Sequence, residues 1–160
     1  MILRPTKEDL TEITLLARIV AKNIRDLGID QWSDTYPNYS NFEYDLEHDG
    51  LFVIKQDNKI IGSVSLLKES DPFYKELVWK KDHSLVIHRL MVHPDYMRQK
   101  LGMKFFDYAI QKAKNEGYLS IKVDTHPDNF RMQNLIKTMG FVEIGFMIQM
   151  HRIGYELVLS

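Results

Sequence analysis

The chain has 160 residues, with 21 Lys and Arg against 22 Asp and Glu, and no cysteine. A net charge of −1 supplies no global field for nucleic acid or an anionic membrane, and the absent thiols exclude disulfides, cysteine zinc sites and a cysteine nucleophile. The length suits a single domain, 1–160, with a proper core; no apolar run approaches the roughly 20 residues that span a bilayer, and Met1-Ile2-Leu3-Arg4-Pro5 lacks a signal-peptide plan, which fits a cytoplasmic protein.

Ile2-Leu3-Arg4 reads as a short edge strand ended by Pro5. Thr6, with Asp9 three residues on, opens a long amphipathic helix. Leu10, Ile13, Ala17, Val20, Ala21 and Ile24 recur along it at helical spacing, and Gly28 closes it. The loop 28–39 is rich in aromatic and amide side chains. It is either a surface loop pinned by Trp32 in the core or the rim of a substrate pocket. Ser40-x-x-Glu43 predicts a capping box for a short helix carrying Phe42 and Leu46 and ending at Gly50. Strands 51–55 and 59–67 make a hairpin about the turn Asp57-Asn58. Residues 68–82 read as a loop with a short helix or irregular strand. Leu85 to Val92 is nearly all apolar, as in a central strand covered on both faces.

From Gly102, the residues Phe106, Ala109, Ile110 and Ala113 fit a helix closed by Gly117. Strand 119–124 follows. The strand–helix–strand crossover makes 85–92 and 119–124 parallel. Met132, Leu135, Ile136 and Met139 mark another helix, closed by Gly140, and 141–150 with 153–159 read as a final antiparallel pair. The fold class is α/β: a mixed, mostly antiparallel sheet with a central parallel strand pair, flanked by helices. The loop Tyr96-Met97-Arg98-Gln99-Lys100-Leu101-Gly102 leads from strand to helix N-terminus. Unpaired N–H groups and the positive end of the helix dipole make such a place a phosphate cradle.

Four segments together resemble the GNAT superfamily of acetyl-CoA-dependent N-acyltransferases. They are His88-Arg89-Leu90-Met91-Val92-His93-Pro94-Asp95-Tyr96, Gly102 at a helix start, Asp124-Thr125 to Asn129, and Leu135-Ile136-Lys137-Thr138-Met139-Gly140-Phe141. The element order matches over nearly the whole chain. The pairs Gln31-Trp32 and Tyr36-Pro37, and the tail Arg152-Ile153-Gly154-Tyr155-Glu156, resemble a group of small bacterial GNAT proteins. The resemblance implies a GNAT-like sheet and acetyl-CoA as co-substrate. It places the cofactor along Leu90, Met91 and Val92, over the loop Met97, Arg98, Gln99, Lys100, Leu101, Gly102 and Met103, and at Asn129 and Met132. Asn129 is alternatively a plain helix cap. The main chain of Leu90 and Val92 would pair with the pantetheine arm beside strand 119–124.

The family's phosphate-loop pattern is Arg/Gln-x-x-Gly-x-Gly/Ala. Its three key positions are here Met97, Lys100 and Gly102, of which only Gly102 matches. Lys100 must then adopt backbone geometry that favours glycine. Arg98 and Lys100 could add charge to the cradle or stay solvated.

The implied reaction is acetyl transfer to a primary amine of a small molecule or peptide by direct attack. Main-chain N–H near Leu90–Val92 would stabilise the oxyanion. The usual tyrosine acid falls on Ile136, which cannot give a proton. Proton transfer must come from His88, Asp124, His126, Glu76, Tyr155 or water. His88 lies two residues before Leu90 and shares its face by alternation. Asp124 and His126 lie at the end of a parallel strand, where ligands bind in such sheets. The histidines have no ligand spacing, so no metal is expected. The alternative from another class is a non-catalytic acyl-CoA-binding or regulatory module. Nucleic acid and membrane are not expected partners. The exposed edges and the final strand pair could support a homodimer.

Overall fold

The computed structural model describes residues 1–160. Its strands are β1 Ile2–Leu3, β2 Leu51–Gln56, β3 Lys59–Leu67, β4 Ser84–Val92, β5 Ser120–Thr125, β6 Val142–Met147 and β7 Arg152–Val158. Its helices are α1 Leu10–Asp26, α2 Tyr39–Glu47, α3 Leu101–Asn115 and α4 Phe130–Thr138. The strands form a seven-stranded sheet in the order β1-β2-β3-β4-β5-β7-β6. Ladders β1–β2, β2–β3, β5–β7 and β6–β7 are antiparallel, and β4–β5 is parallel. This is the expected mixed sheet, with the parallel pair set by the crossover through α3. The chain divides into two compact units: Met1–Leu66 with His88–Phe105, and Leu67–Ile87 with Phe106–Ser160.

In the first unit, α1 packs Leu10, Ile13, Leu16, Ala17, Val20 and Ala21 against Phe42 of α2, Leu51 and Val53 of β2, Ile60 of β3 and Met91 of β4. Each buried Leu, Ile, Val, Phe or Met among them contributes about 1.5–3 kcal/mol. Trp32 belongs to the same core, so the 28–38 loop is pinned as one of its two readings required. Ser63 and Ser65 lie opposite Val53 and Leu51 and share their face. Gly62 lies on the other face, where an added Cβ would come 2.9 Å from the Phe105 ring. Asp57 and Asn58 both have positive φ, as a tight hairpin turn demands.

Two local expectations are corrected. The α2 cap is Asn38, not Ser40. Asn38 Oδ1 accepts the Asn41 N–H at 3.1 Å, and Asn41 Oδ1 accepts the Asn38 N–H at 2.8 Å. This reciprocal amide pair does the work expected of Ser40 and Glu43. At the other end of α2 the left-handed residue is Asp49, with φ 55°, rather than Gly50.

In the second unit, residues 72–81 form a strap. Pro72–Glu76 forms a 3₁₀ turn. Tyr74 packs with Val86 and Met147, and Leu77, Trp79 and Met150 close round them. The strap seats on glycines. Gly145 and Gly154 face each other in the β6–β7 ladder. A Cβ on Gly145 would lie 2.9 Å from Leu77, and one on Gly154 2.8 Å from Trp79. Glu156, fully buried on β7, fastens the strap's far end. Its carboxylate accepts the main-chain N–H of Lys80 (2.7 Å) and Lys81 (3.1 Å) and the Ser120 hydroxyl (2.6 Å). Elsewhere in this unit Phe106 of α3 meets Phe141 edge to face at 5.5 Å.

Candidate active site

The end of β4 leads into the expected cradle. His93 N–H donates to Ile61 O at 2.8 Å, and His93 Nδ1 accepts the Asp95 N–H at 3.1 Å. Pro94–Gln99 then form a 3₁₀ turn. Lys100 follows with φ 57° and ψ 36°, the left-handed geometry its position called for. That conformation costs a non-glycine residue about 1–2 kcal/mol. α3 starts at once with Leu101, and Lys104 N–H donates back to Lys100 O. The N–H groups of Leu101, Gly102 and Met103 precede that bond and have no carbonyl partner within the helix. Leu101 is buried, so it offers the cradle only main chain. Met97, Arg98, Gln99 and Lys100 are exposed around it. An array of N–H donors at the start of a 15-residue helix, rimmed by two cations, fits a diphosphate.

Strand β4 carries a break in its pleat. Arg89 has φ 49° inside the strand. A left-handed residue between His88 and Leu90 removes the basis for placing them on one face by alternation. The Met91 side chain is buried in the α1–α2 core, while Leu90 and Val92 are half-buried. Arg89 itself is tied down. Its Nε and Nη2 donate to the fully buried Asp45 at 2.8 and 2.5 Å, Asp45 also accepts the Ser65 hydroxyl at 2.5 Å, and Arg89 Nη1 donates to the Tyr36 hydroxyl at 3.2 Å. Desolvation is the largest influence and opposes the charge on Arg89, but the hydrogen bonds to Asp45, the Asp45 charge and Tyr36 together outweigh it and raise its pKa. Tyr36 belongs to the 28–38 loop, whose carbonyls at Ser33 and Pro37 receive the Arg18 guanidinium. Sequence reasoning missed this network. The available signal was Asp45, an acid on the apolar stripe of α2.

The second unit holds four proton-transfer candidates, and it treats them differently. Asp124 is half-buried on β5 and accepts the Tyr74 hydroxyl at 2.6 Å. Burial first, and the Asp124 charge second, push the Tyr74 pKa well above normal. His126 is buried and Nδ1 accepts the Asp128 N–H at 3.0 Å. The neutral ring therefore carries its hydrogen on Nε2 and has no second lone pair for a base. Its ring meets His151 at 5.1 Å. Glu76 accepts the N–H groups of Ile148 (2.9 Å) and Gln149 (3.4 Å), so it secures the β6–β7 turn. Tyr155 is fully buried, with no hydrogen-bond partner on its hydroxyl. It pairs with Val123, whereas Asp124 pairs with Gly154. Adjacent pairs point to opposite faces, so Tyr155 and Asp124 are not brought together. Burial, then the Glu143 charge, raises the Tyr155 pKa.

Asn129 caps α4 through a 3.2 Å bond from the Met132 N–H. Ile136 is fully buried. No group of three or more His, Cys, Asp or Glu is placed to hold a metal ion, and no helix is long and apolar enough to cross a membrane.

Known proteins resemble this chain in sequence and in fold. The sequence profile of the "Acetyltransferase (GNAT) family" matches residues 18–141. The chain is 27% identical over 143 residues to "Uncharacterized N-acetyltransferase YesJ" of Bacillus subtilis (strain 168), covering 86% of this chain and 79% of the relative. It superposes on a GNAT-family acetyltransferase of Streptococcus agalactiae with a TM-score of 0.87 at 21% identity, over 100% of this chain and 95% of the other. It also superposes on yncA of Salmonella typhimurium, solved with its cofactor acetyl-CoA. There the TM-score is 0.74 at 18% identity, over 100% and 94% of the two chains.

Proposed function

The chain belongs to the acetyltransferase (GNAT) family, and from that premise we propose that it is an acetyl-CoA-dependent N-acetyltransferase acting by direct attack in a ternary complex. Its acceptor is a primary amine of a small molecule or peptide. One observation carries the reading: the left-handed Lys100 turns the chain into α3 and leaves the first N–H groups of that helix without intrahelical partners, as a diphosphate requires. The acetyl-CoA held by a relative of the same fold supports it.

Acetyl-CoA, when bound, supplies the acetyl group as a thioester, so that a C–N bond forms as the C–S bond breaks and the thiolate leaves with that electron pair. Leu90 and Val92 offer main-chain N–H and C=O to the amide-bearing arm. One N–H aimed at the thioester oxygen contributes about 3–4 kcal/mol. Asn129 and Met132 hold the arm at the start of α4. Asp124, at the C-terminal end of a parallel strand, takes the proton the nitrogen loses. His88 is the second candidate for that role. The thiolate takes its proton from water, because Ile136 provides no acid. The exposed edge of β6, with Val142 and Phe146, is the surface for a homodimer.

The test is release of free thiol from acetyl-CoA across a panel of primary amines. Turnover on at least one is expected. Tight acetyl-CoA binding without turnover on any would replace the enzyme by a non-catalytic acyl-CoA-binding module. Gly102→Val crowds the second helical N–H and is expected to weaken coenzyme A binding at least tenfold by calorimetry. Unchanged affinity would remove the cradle assignment.

A further inference from the structure

The Tyr74–Asp124 hydrogen bond is built with more support than a packing tyrosine requires. At 2.6 Å it lies in the range of a hydroxyl donating to a charged oxygen. Tyr74 is 2% exposed. Its ring stacks on Trp79 at 4.9 Å and 24°. Trp79 Nε1 donates to the Tyr74 carbonyl at 2.7 Å, so one indole clamps both the ring and the backbone of Tyr74. Trp79 rests in the space left by Gly154, and Gly154 is the β7 residue opposite Asp124. Donor and acceptor are thus referenced to the same strand pair. A side chain on Gly154 would push the strap, and with it the phenol, away from the carboxylate.

We infer that Tyr74 is a positioning residue for acetyl transfer: its hydroxyl orients the Asp124 carboxylate and holds it ionised until the acceptor nitrogen gives up its proton. This rests on the proposed role of Asp124. The nitrogen proton passes to Asp124 as the C–N bond forms, and Tyr74 keeps its own. Burial and the neighbouring charge keep the phenol protonated well beyond its usual range, so it remains a donor at every working pH. Lys122 on β5 and His126 just past its end lie two residues from Asp124, Glu156 and Arg152 lie on either side of Gly154 in β7, and Asp71 and Glu76 bound the 3₁₀ turn of the strap. Lys122 is held over the Trp79 ring at 5.0 Å. Tyr74 donates its hydroxyl to the carboxylate, and this bond favours the charged form.

The experiment compares full-length Tyr74→Phe with the parent in two readouts. The first is the pH profile of kcat and of KM for acetyl-CoA with a turned-over amine. The second is the carbon-13 titration of the Asp124 side chain. Loss of one charge-assisted bond is expected to raise both the acid limb and the Asp124 midpoint by about one pH unit. It should lower kcat about tenfold and leave KM for acetyl-CoA within twofold. Asp124→Asn should abolish the acid limb, and His88→Gln should leave it in place. A folded Tyr74→Phe with unchanged limb and midpoint overturns the inference, even if its melting temperature falls. If no amine is turned over, the activity reading fails on its own, and the Asp124 titration still decides the coupling. If Tyr74→Phe does not fold, the parent protein decides. Its Tyr74 ring carbon next to the oxygen is expected to shift with the Asp124 midpoint, and the absence of a shared midpoint overturns the inference.

Discussion

Asp45→Ala should be among the most damaging single substitutions in this protein. Asp45 is fully buried and accepts from Arg89 Nε, Arg89 Nη2 and Ser65 Oγ. Its removal leaves a largely buried guanidinium without its counter-charge. Breaking a buried pair from one side costs about 3–5 kcal/mol. The stranded Ser65 hydroxyl adds to that, though not additively. About 4 kcal/mol is then a large share of the roughly 5–15 kcal/mol that holds a domain folded. With a urea m-value near 2 kcal/mol/M, the unfolding midpoint should drop by about 2 M. The paired change Asp45→Leu with Arg89→Met removes both charges and fills the space. It should recover most of the loss, because the penalty comes from the orphaned charge rather than from the pair's own worth. Equilibrium unfolding of the parent, Asp45→Leu, Arg89→Met and the double variant gives the coupling energy, with Asp45→Ala measured beside them. A loss below about 1 kcal/mol for Asp45→Ala, or a double variant no better than the worse single, would refute the reasoning.

Three further outcomes follow from particular contacts. Gly154→Ala places a Cβ 2.8 Å from Trp79 and 2.9 Å from Leu77; it should cost about 1–3 kcal/mol and increase protease cleavage within 72–83, and an unchanged digestion pattern would count against the glycine slot. Ile136→Tyr, which restores a phenol at the family's usual acid position, forces a larger ring into a fully buried site; thermal melts should show a loss of about 1–3 kcal/mol. Tyr74 has its pKa raised by folding, so the folded state keeps a proton that the unfolded chain releases. Stability should therefore be unaffected below about pH 10 and fall as pH rises above it, with one proton's slope that Tyr74→Phe removes.

Local chemistry made much of this legible from residues alone. The α1 stripe from Leu10 to Ile24, the Asp57-Asn58 turn and the run Leu85–Val92 each carry a strong period or turn signal. The parallel pair followed from the crossover rule, and the family resemblance, whose pattern has glycine at position 100, implied the left-handed backbone that Lys100 adopts at φ 57°. The α2 start was misplaced because Asn38 and Asn41 compete with Ser40 and Glu43 for the same capping role, and sequence does not rank two adjacent boxes.

The sequence by itself determined the fold class and the family resemblance, because periodicity, helix ends and motif spacing are local properties. Tertiary structure decided which polar side chains meet. Tyr74 and Asp124 are 50 residues apart, as Arg89 and Asp45 are 44. Neither pairing has a spacing that a sequence pattern could reveal. The same contacts separate the five proton-transfer candidates. Glu76 and His126 are engaged with main-chain N–H groups, and Tyr155 is turned to the opposite face of the sheet from Asp124. A titratable residue's role depends on what surrounds it, and for Asp124 those surroundings come from a strap seated on two glycines.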